Sequence, residues 1–198
     1  MRWAAIGALV VLLAGVPACG HAPARDAAPP APAEYLDDGT GATITAVDRP
    51  LVFAIERSDV AANLRDYLTL AAAAVDRSGK IQYVLVAYRW STLDTHAAAA
   101  AGTAPATLVL AADDRRVRLD GNGRTPHDMG VDRLIHPPPN VKAAPVVVSS
   151  DLDMIRVIAH ARRLSVQIDP DAAAPRYELW DDQRPAWQDF VRYLGGER

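Results

Sequence analysis

The residues best suited by type to do chemistry lie in one aperiodic stretch, 121–145, where His127, Asp128, Asp132 and His136 stand among Pro126 and Pro137-Pro138-Pro139. Two imidazoles and two carboxylates are donors that Zn²⁺ accepts, and a bound zinc ion would activate a water molecule. Their spacing matches no established ligand pattern. His127, Asp128 and His136 are therefore kept only as weak metal candidates, and no cofactor is expected. A long stretch without periodicity is usually functional or unstructured, although proline punctuation alone explains this one. Ser149, Ser150, Asp151 and His160 supply the types of a nucleophile, a base and an orienting acid, but no Gly-x-Ser-x-Gly elbow presents the serine. Ser150 reads as a helix cap, and His160 as an imidazole favoured by a helix C-terminus. His21 and His96 fall in Pro/Ala-rich and Ala-rich segments with no partner nearby in sequence. Trp90, Trp180 and Trp187 could stack on a glycan or a peptide, with core or rim packing the commoner fate of such residues.

Cys19 carries a different chemistry. It is the one cysteine of the chain. Before it come a short positive start, Met1-Arg2-Trp3, and an uncharged apolar run over 4–16, too short to span a bilayer as a mature helix. Val16-Pro17-Ala18-Cys19-Gly20 resembles the lipobox of bacterial lipoproteins, whose cysteine is acylated and becomes the new N-terminus. Pro17 departs from the small or aliphatic residue usual at that position, so a plain signal-peptidase site at Val16-x-Ala18 is the competing reading. That cleavage would leave an exported chain with one free thiol, which acylation instead consumes. Gly20, rather than Asp, follows the cysteine, and by the same resemblance this implies the outer membrane. One acyl chain binds only marginally, at about 10⁴ M⁻¹, so the anchor implied is the two or three chains of such lipoproteins.

The elements that would carry these residues are legible from pattern. Residues 19–33 hold Pro23, Pro29, Pro30 and Pro32 among alanines and have no apolar face; they read as a disordered tether of about 40 Å at ~3.1 Å per residue. After a polar lead-in over 34–41, residues 42–47 alternate as a half-buried strand and 51–55 form a second. The apolar run 81–90 reads as a central strand, paired through Ser78-Gly79 with the strand before it. Within 59–75 the second half reads as strand, and a short helix over 59–64 stays open. Residues 95–106 are a connection, and 107–112 with 115–119 flank Asp113-Asp114 as a second hairpin. Then come a strand at 146–148, a helix from Ser150 with Leu152, Ile155, Ile158 and Ala159 inward, and a strand at 164–168 with Ser165 and Gln167 on its wet face. The last helix has Trp187, Phe190, Val191 and Leu194 at i, i+3, i+4 and i+7, Pro185 in its first turn and Gly195 at its end. The fold class expected is α+β, an antiparallel sheet with two helices in the C-terminal half, organised as 1–18 signal peptide, 19–33 tether and 34–198 one domain.

Composition narrows the partners. Without residues 1–18 the chain keeps 20 Lys+Arg against 24 Asp+Glu, a balance that argues against nucleic acid as a partner. The basic pieces Arg115-Arg116-x-Arg118 and Arg162-Arg163 read as solvated faces. Over 34–94 the chain resembles a family of uncharacterised proteobacterial outer-membrane lipoproteins, through residues 34–43 (Glu-Tyr-Leu-Asp-Asp-Gly-Thr-Gly-Ala-Thr), 48–54 (Asp-Arg-Pro-Leu-Val-Phe-Ala) and 88–94 (Tyr-Arg-Trp-Ser-Thr-Leu-Asp). That resemblance implies an address in the envelope and no particular chemistry. The expectation is a non-enzymatic envelope lipoprotein that meets an envelope protein or a glycan, the alternative being a small periplasmic hydrolase or metal-dependent enzyme using 121–145. If Cys19 is the anchor, radiolabelled palmitate will label the wild type and not Cys19→Ser, and the mature N-terminus will be Cys19. Equal labelling of the two proteins would refute the assignment.

Overall fold

The computed structural model describes residues 32–59, 62, 64–91, 107–121, 123–138, 144–168 and 175–196. Cys19, the signal-like segment, the Pro/Ala-rich stretch up to residue 31 with His21, and the alanine-rich connection with His96 lie outside the described residues.

The described residues form ten strands and two α-helices: β1 (Ala33–Asp37), β2 (Ala42–Ala46), β3 (Leu51–Glu56), β4 (Arg65–Arg77), β5 (Lys80–Ser91), β6 (Thr107–Ala112), β7 (Arg115–Asp120), β8 (Val146–Ser150), α1 (Leu152–His160), β9 (Leu164–Ile168), β10 (Tyr177–Asp181) and α2 (Arg184–Leu194). Every ladder is antiparallel. The long β4–β5 hairpin is the spine. Its turn has Ser78 at φ 55° and Gly79 at φ 81°, and the Gly79 N–H donates to the Asp76 carboxylate at 2.7 Å. One edge of β4 carries β3 along its first half and β2 along its second, while the far edge of β5 carries β8. From β3 the sheet continues through β10, β9 and β6 to β7, which comes to rest beside β8. The sheet thus curls into a barrel-like circuit, and the β1–β2 hairpin extends from β4 beyond β3.

Register sorts the side chains onto two faces. Leu51 opposes Leu70, Phe53 opposes Leu68 and Leu179, Val166 opposes Tyr177 and Leu110, and Leu85 opposes Val148. These large residues make one apolar face. The other face of β4 carries Thr69, Ala71, Ala73 and Val75, mostly small, and a second layer lies over it. Residues Leu68 to Val75 are accordingly buried on both faces, as a continuous apolar run requires.

Several expectations are corrected. Strand β1 begins at Ala33, the last residue of the expected tether, and runs into the polar lead-in at 34–41, where Tyr35 and Asp37 turn inward while Glu34 and Leu36 face out. Residues 59, 62 and 64 are turn or coil, so no helix is seen there among the described residues. The cap of α1 is Asp151, whose carboxylate accepts the Met154 N–H at 2.6 Å; Ser150 is still in β8. Leu152 is half-buried while Ile155, Ile158 and Ala159 are buried. Ser165 is buried rather than wet, flanked in the sheet by Ala111 of β6 and Glu178 of β10, whereas Gln167, among the described residues, pairs with β6 alone and is half-buried. Strand β10 was not anticipated at all. Both helices belong to the C-terminal half, as expected, and among the described residues no helix is long and apolar enough to cross a membrane.

Helix α2 packs its Trp187, Phe190 and Val191 stripe into the core, with the first two wholly buried. It is linked to α1 by the Gln188 side-chain amide, which donates to the Ala159 carbonyl at 3.0 Å. Truncating a buried aromatic costs about 3 to 5 kcal/mol. Phe190→Ala will therefore lower the chemical denaturation midpoint steeply, while Arg192→Ala, which loses only an exposed ion pair with Asp189, will move it by less than about 0.5 kcal/mol. Unchanged midpoints for both would mean that the stripe is not part of the core.

Candidate functional site

The second layer over the small-residue face of β4 is the segment 123–138, read from sequence as an irregular loop. It is organised around a single 3₁₀ turn, His127–Met129, and buries Met129, Val131 and Ile135. Gly130 passes so close to β4 that a Cβ there would stand 2.6 Å from Val75 Cγ1, and its φ of 83° also calls for glycine. The Arg133 guanidinium lies over the Tyr35 ring, 4.6 Å from its centroid. Beneath this cover burial pushes the Tyr88 phenol up to about 12.

Asp37 fastens the segment. Its side chain is only 1 % exposed. Oδ2 accepts the N–H groups of Asp132 and Arg133, each at 2.8 Å, and Oδ1 accepts those of Gly39 and Thr40, each at 3.1 Å. Burial alone would raise its pKa, but the donated hydrogen bonds from Arg133, Asp132 and Thr40 outweigh it and hold the carboxyl below its ordinary value. The Thr40 hydroxyl adds a bond to the Gly130 carbonyl at 3.2 Å.

At its far end the segment reaches His136, Pro137 and Pro138. His136 has φ 48°, a conformation that costs a non-glycine residue about 1 to 3 kcal/mol unless its surroundings enforce it. Here its ring Nε2 lies 2.6 Å from the Val47 carbonyl oxygen. A carbonyl only accepts, so Nε2–H is the donor of this bond.

Beyond His136 opens a groove of about 700 Å³, lined by His136, Pro137 and Pro138 on one side and by Pro50, Val52, Tyr67, Thr69, Trp90, Trp180 and Asp181 on the other. Its floor follows from register. Tyr67 and Trp90 are directly opposite across β4–β5 and stack with centroids 4.4 Å apart at 17°. Trp90 Nε1–H donates to Thr69 Oγ1 at 3.0 Å, which fixes the indole. In β10 the register against β3 slips between Leu179 and Asp181, so β10 carries one residue more than its partner. Such a bulge re-aims side chains: adjacent residues ordinarily alternate faces, yet Trp180 and Asp181 both line the groove. Trp180 is 56 % exposed and carries the Arg65 guanidinium 4.3 Å from its ring centroid. Trp187, the third tryptophan of the sequence reading, is core.

The metal candidates are not gathered. His127 Nδ1 faces Asp132 Oδ1 at 3.6 Å, both side chains more than half exposed. Asp128 accepts the N–H and hydroxyl of Thr125 at 2.8 and 2.7 Å, and these bonds hold its carboxyl below the usual range. His136 is turned to Val47. Among the described residues no three His, Cys, Asp or Glu side chains come together to hold a metal ion. Nor do the nucleophile candidates assemble: Ser149 Oγ accepts from Gln82 Nε2 at 3.3 Å, Asp151 caps α1, and His160 stands at the helix's other end. Sequence reasoning passed over Tyr67, Thr69, Asp181 and Asp37; the first two lie in one strand, but their partners are distant in sequence. Comparison with protein-family models, with curated proteins and with solved structures finds no match for this chain.

Removing the clamp tests this construction. Hydrogen bonds to a charged group are worth about 1.5 to 3 kcal/mol each, and here a buried charge goes with them. Asp37→Ala will cost on the order of 3 kcal/mol in chemical denaturation and weaken the protection of the 131–136 amides from hydrogen exchange. Because the folded pKa is depressed, the carboxylate's contribution is fully present above the unfolded value near 3.8 and is lost as pH falls through the folded value. The acid destabilisation of the wild type will therefore be shallower in Asp37→Ala below about pH 4. Identical acid limbs would show that Asp37 does not hold the segment.

Proposed function

We propose that this chain is a lipid-anchored, non-enzymatic binding module of the bacterial envelope, which presents the groove of β4, β5 and β10 to a ligand. The observation that carries the binding role is the aromatic floor. A solvent-open cleft combining a stacked Tyr67–Trp90 pair, an exposed Trp180 and a few polar groups is the usual composition of a small-molecule or oligomer site. The lipobox-like Val16-Pro17-Ala18-Cys19, the Pro/Ala-rich segment after it and the resemblance over 34–94 support the anchor and an outer-membrane address facing the periplasm. A tether of ~40 Å would hold the groove clear of the lipid head groups.

A metal-dependent hydrolase using 121–145 is the competing class. Its residues serve instead in the 3₁₀ turn and the contact with Val47. Stoichiometric Zn²⁺ in the purified protein that disappears in a His127→Ala/His136→Ala double variant would establish that reading and overturn the first. For the binding module, Trp180→Ala is the decisive variant, since an exposed side chain away from the core changes stability by only about 0.5 kcal/mol. In sedimentation with envelope fragments, the wild-type chain will co-sediment in a saturable manner, and Trp180→Ala will lose most of that retention while keeping its denaturation midpoint. Equal retention of both would remove the groove from the binding role.

A further inference from the structure

We infer that the ligand of this groove is a neutral, hydroxyl-rich oligosaccharide, an inference that rests on the groove being the binding site proposed above. The argument is an inventory of donors and acceptors. Trp90 Nε1–H, the donor an aromatic groove normally offers to a ligand carbonyl, is already given to Thr69 Oγ1 at 3.0 Å. The indole therefore presents only its ring. His136 gives Nε2–H to Val47, so Nδ1 is the ring nitrogen left for a ligand. Asp181, whose Oδ1 takes the Gln183 side-chain amide at 2.8 Å, is an acceptor at every lone pair. Thr69, having accepted from Trp90, has its hydroxyl proton to donate. The polar groups of the lining are thus the acceptor-only Asp181, the His136 Nδ1, the Thr69 hydroxyl proton and the Tyr67 phenol, which both donates and accepts, set around aromatic rings.

A ligand complementary to that set must bring donors as well as acceptors, together with flat apolar faces. A proline-rich peptide meets only half of that need: it brings carbonyl acceptors but, at each proline, no N–H for Asp181. A pyranose ring brings hydroxyl donors around its rim and C–H faces that lie against Tyr67, Trp90 and Trp180. Charge points the same way. The Arg65 guanidinium over Trp180 is already paired with Glu56 at 2.9 Å, and Asp181, the one carboxylate in the lining, disfavours an anionic sugar brought beside it. The volume of about 700 Å³ leaves room for more than a single small head group.

The test uses the full-length chain in a detergent that contains no sugar, titrated by calorimetry with chitotetraose, cellotetraose and maltotetraose, and with decaproline as the peptide probe. At least one tetrasaccharide is expected to bind saturably and to bind Trp180→Ala at least tenfold more weakly, with Trp180→Phe recovering part of the loss because it restores a ring. Asp181→Asn, which replaces an acceptor-only group with a mixed one, will weaken the same sugar several-fold. If decaproline binds in a Trp180-dependent manner and no tetrasaccharide does, the saccharide assignment fails while the binding reading stands. If no probe shows Trp180-dependent binding but envelope retention still requires Trp180, the saccharide assignment again fails alone. Loss of both signals overturns both.

Discussion

One buried carboxylate ties the layers of this protein together. Asp37 ends β1 in a position with almost no solvent, where an unpaired charge would be prohibitively expensive. Four backbone N–H groups make it tolerable, two from the turn that follows β1 and two from a segment 95 residues on. Neither half of that cradle is complete alone. The turn gives Oδ1 its partners but leaves Oδ2 bare, and the 132–133 backbone would have two unpaired N–H groups against the sheet. Joining them is the arrangement in which all these groups are satisfied, so the covering segment is located by electrostatics as well as by its apolar residues.

From that attachment the geometry propagates in both directions. Toward the β4–β5 turn, Gly130 packs against Val75 and the Arg77 guanidinium bonds the His127 carbonyl at 2.9 Å, which closes one end of the cover. Toward the other end, Val131 and Ile135 sink into the core and deliver His136 to the Val47 carbonyl. The alanines of β4 are the complementary requirement. A sheet face built of Ala71 and Ala73 lets backbone approach closely, where branched side chains would hold the second layer away. The cover stops short of Thr69 and Tyr67, where larger side chains resume, and the groove is the space left at that boundary.

Much of this order is visible in the chain itself. The hairpin at Ser78-Gly79, the hairpin at Asp113-Asp114 and helix α2 are local in origin: each depends on turn chemistry or on an apolar period that neighbouring residues supply. Strand β10 escaped notice because five residues with Trp180 exposed give too short an alternation to stand out, and its pairing with β3 and β9 is made by residues more than a hundred positions apart in one case. Asp37 was passed over for a related reason. Within its neighbours it reads as one acid of a polar turn, and its burial depends on residues 132–133 arriving.

Sequence alone determined the uncharged apolar run before Cys19, the single cysteine, the excess of acid over base and the antiparallel, strand-dominated body with two helices in its C-terminal half. These follow from composition and from periods of two and 3.6 residues, which are properties of contiguous chain. Only the tertiary structure decided that 123–138 is a fitted layer rather than a loop, that His127, Asp128 and His136 serve that layer separately, and that Tyr67, Trp90, Trp180 and Asp181 share one groove. Those facts depend on register across β4–β5, on the one-residue slip in β10 and on a carboxylate bridging distant backbone. Such long-range coincidences of position leave no local trace in the order of residues.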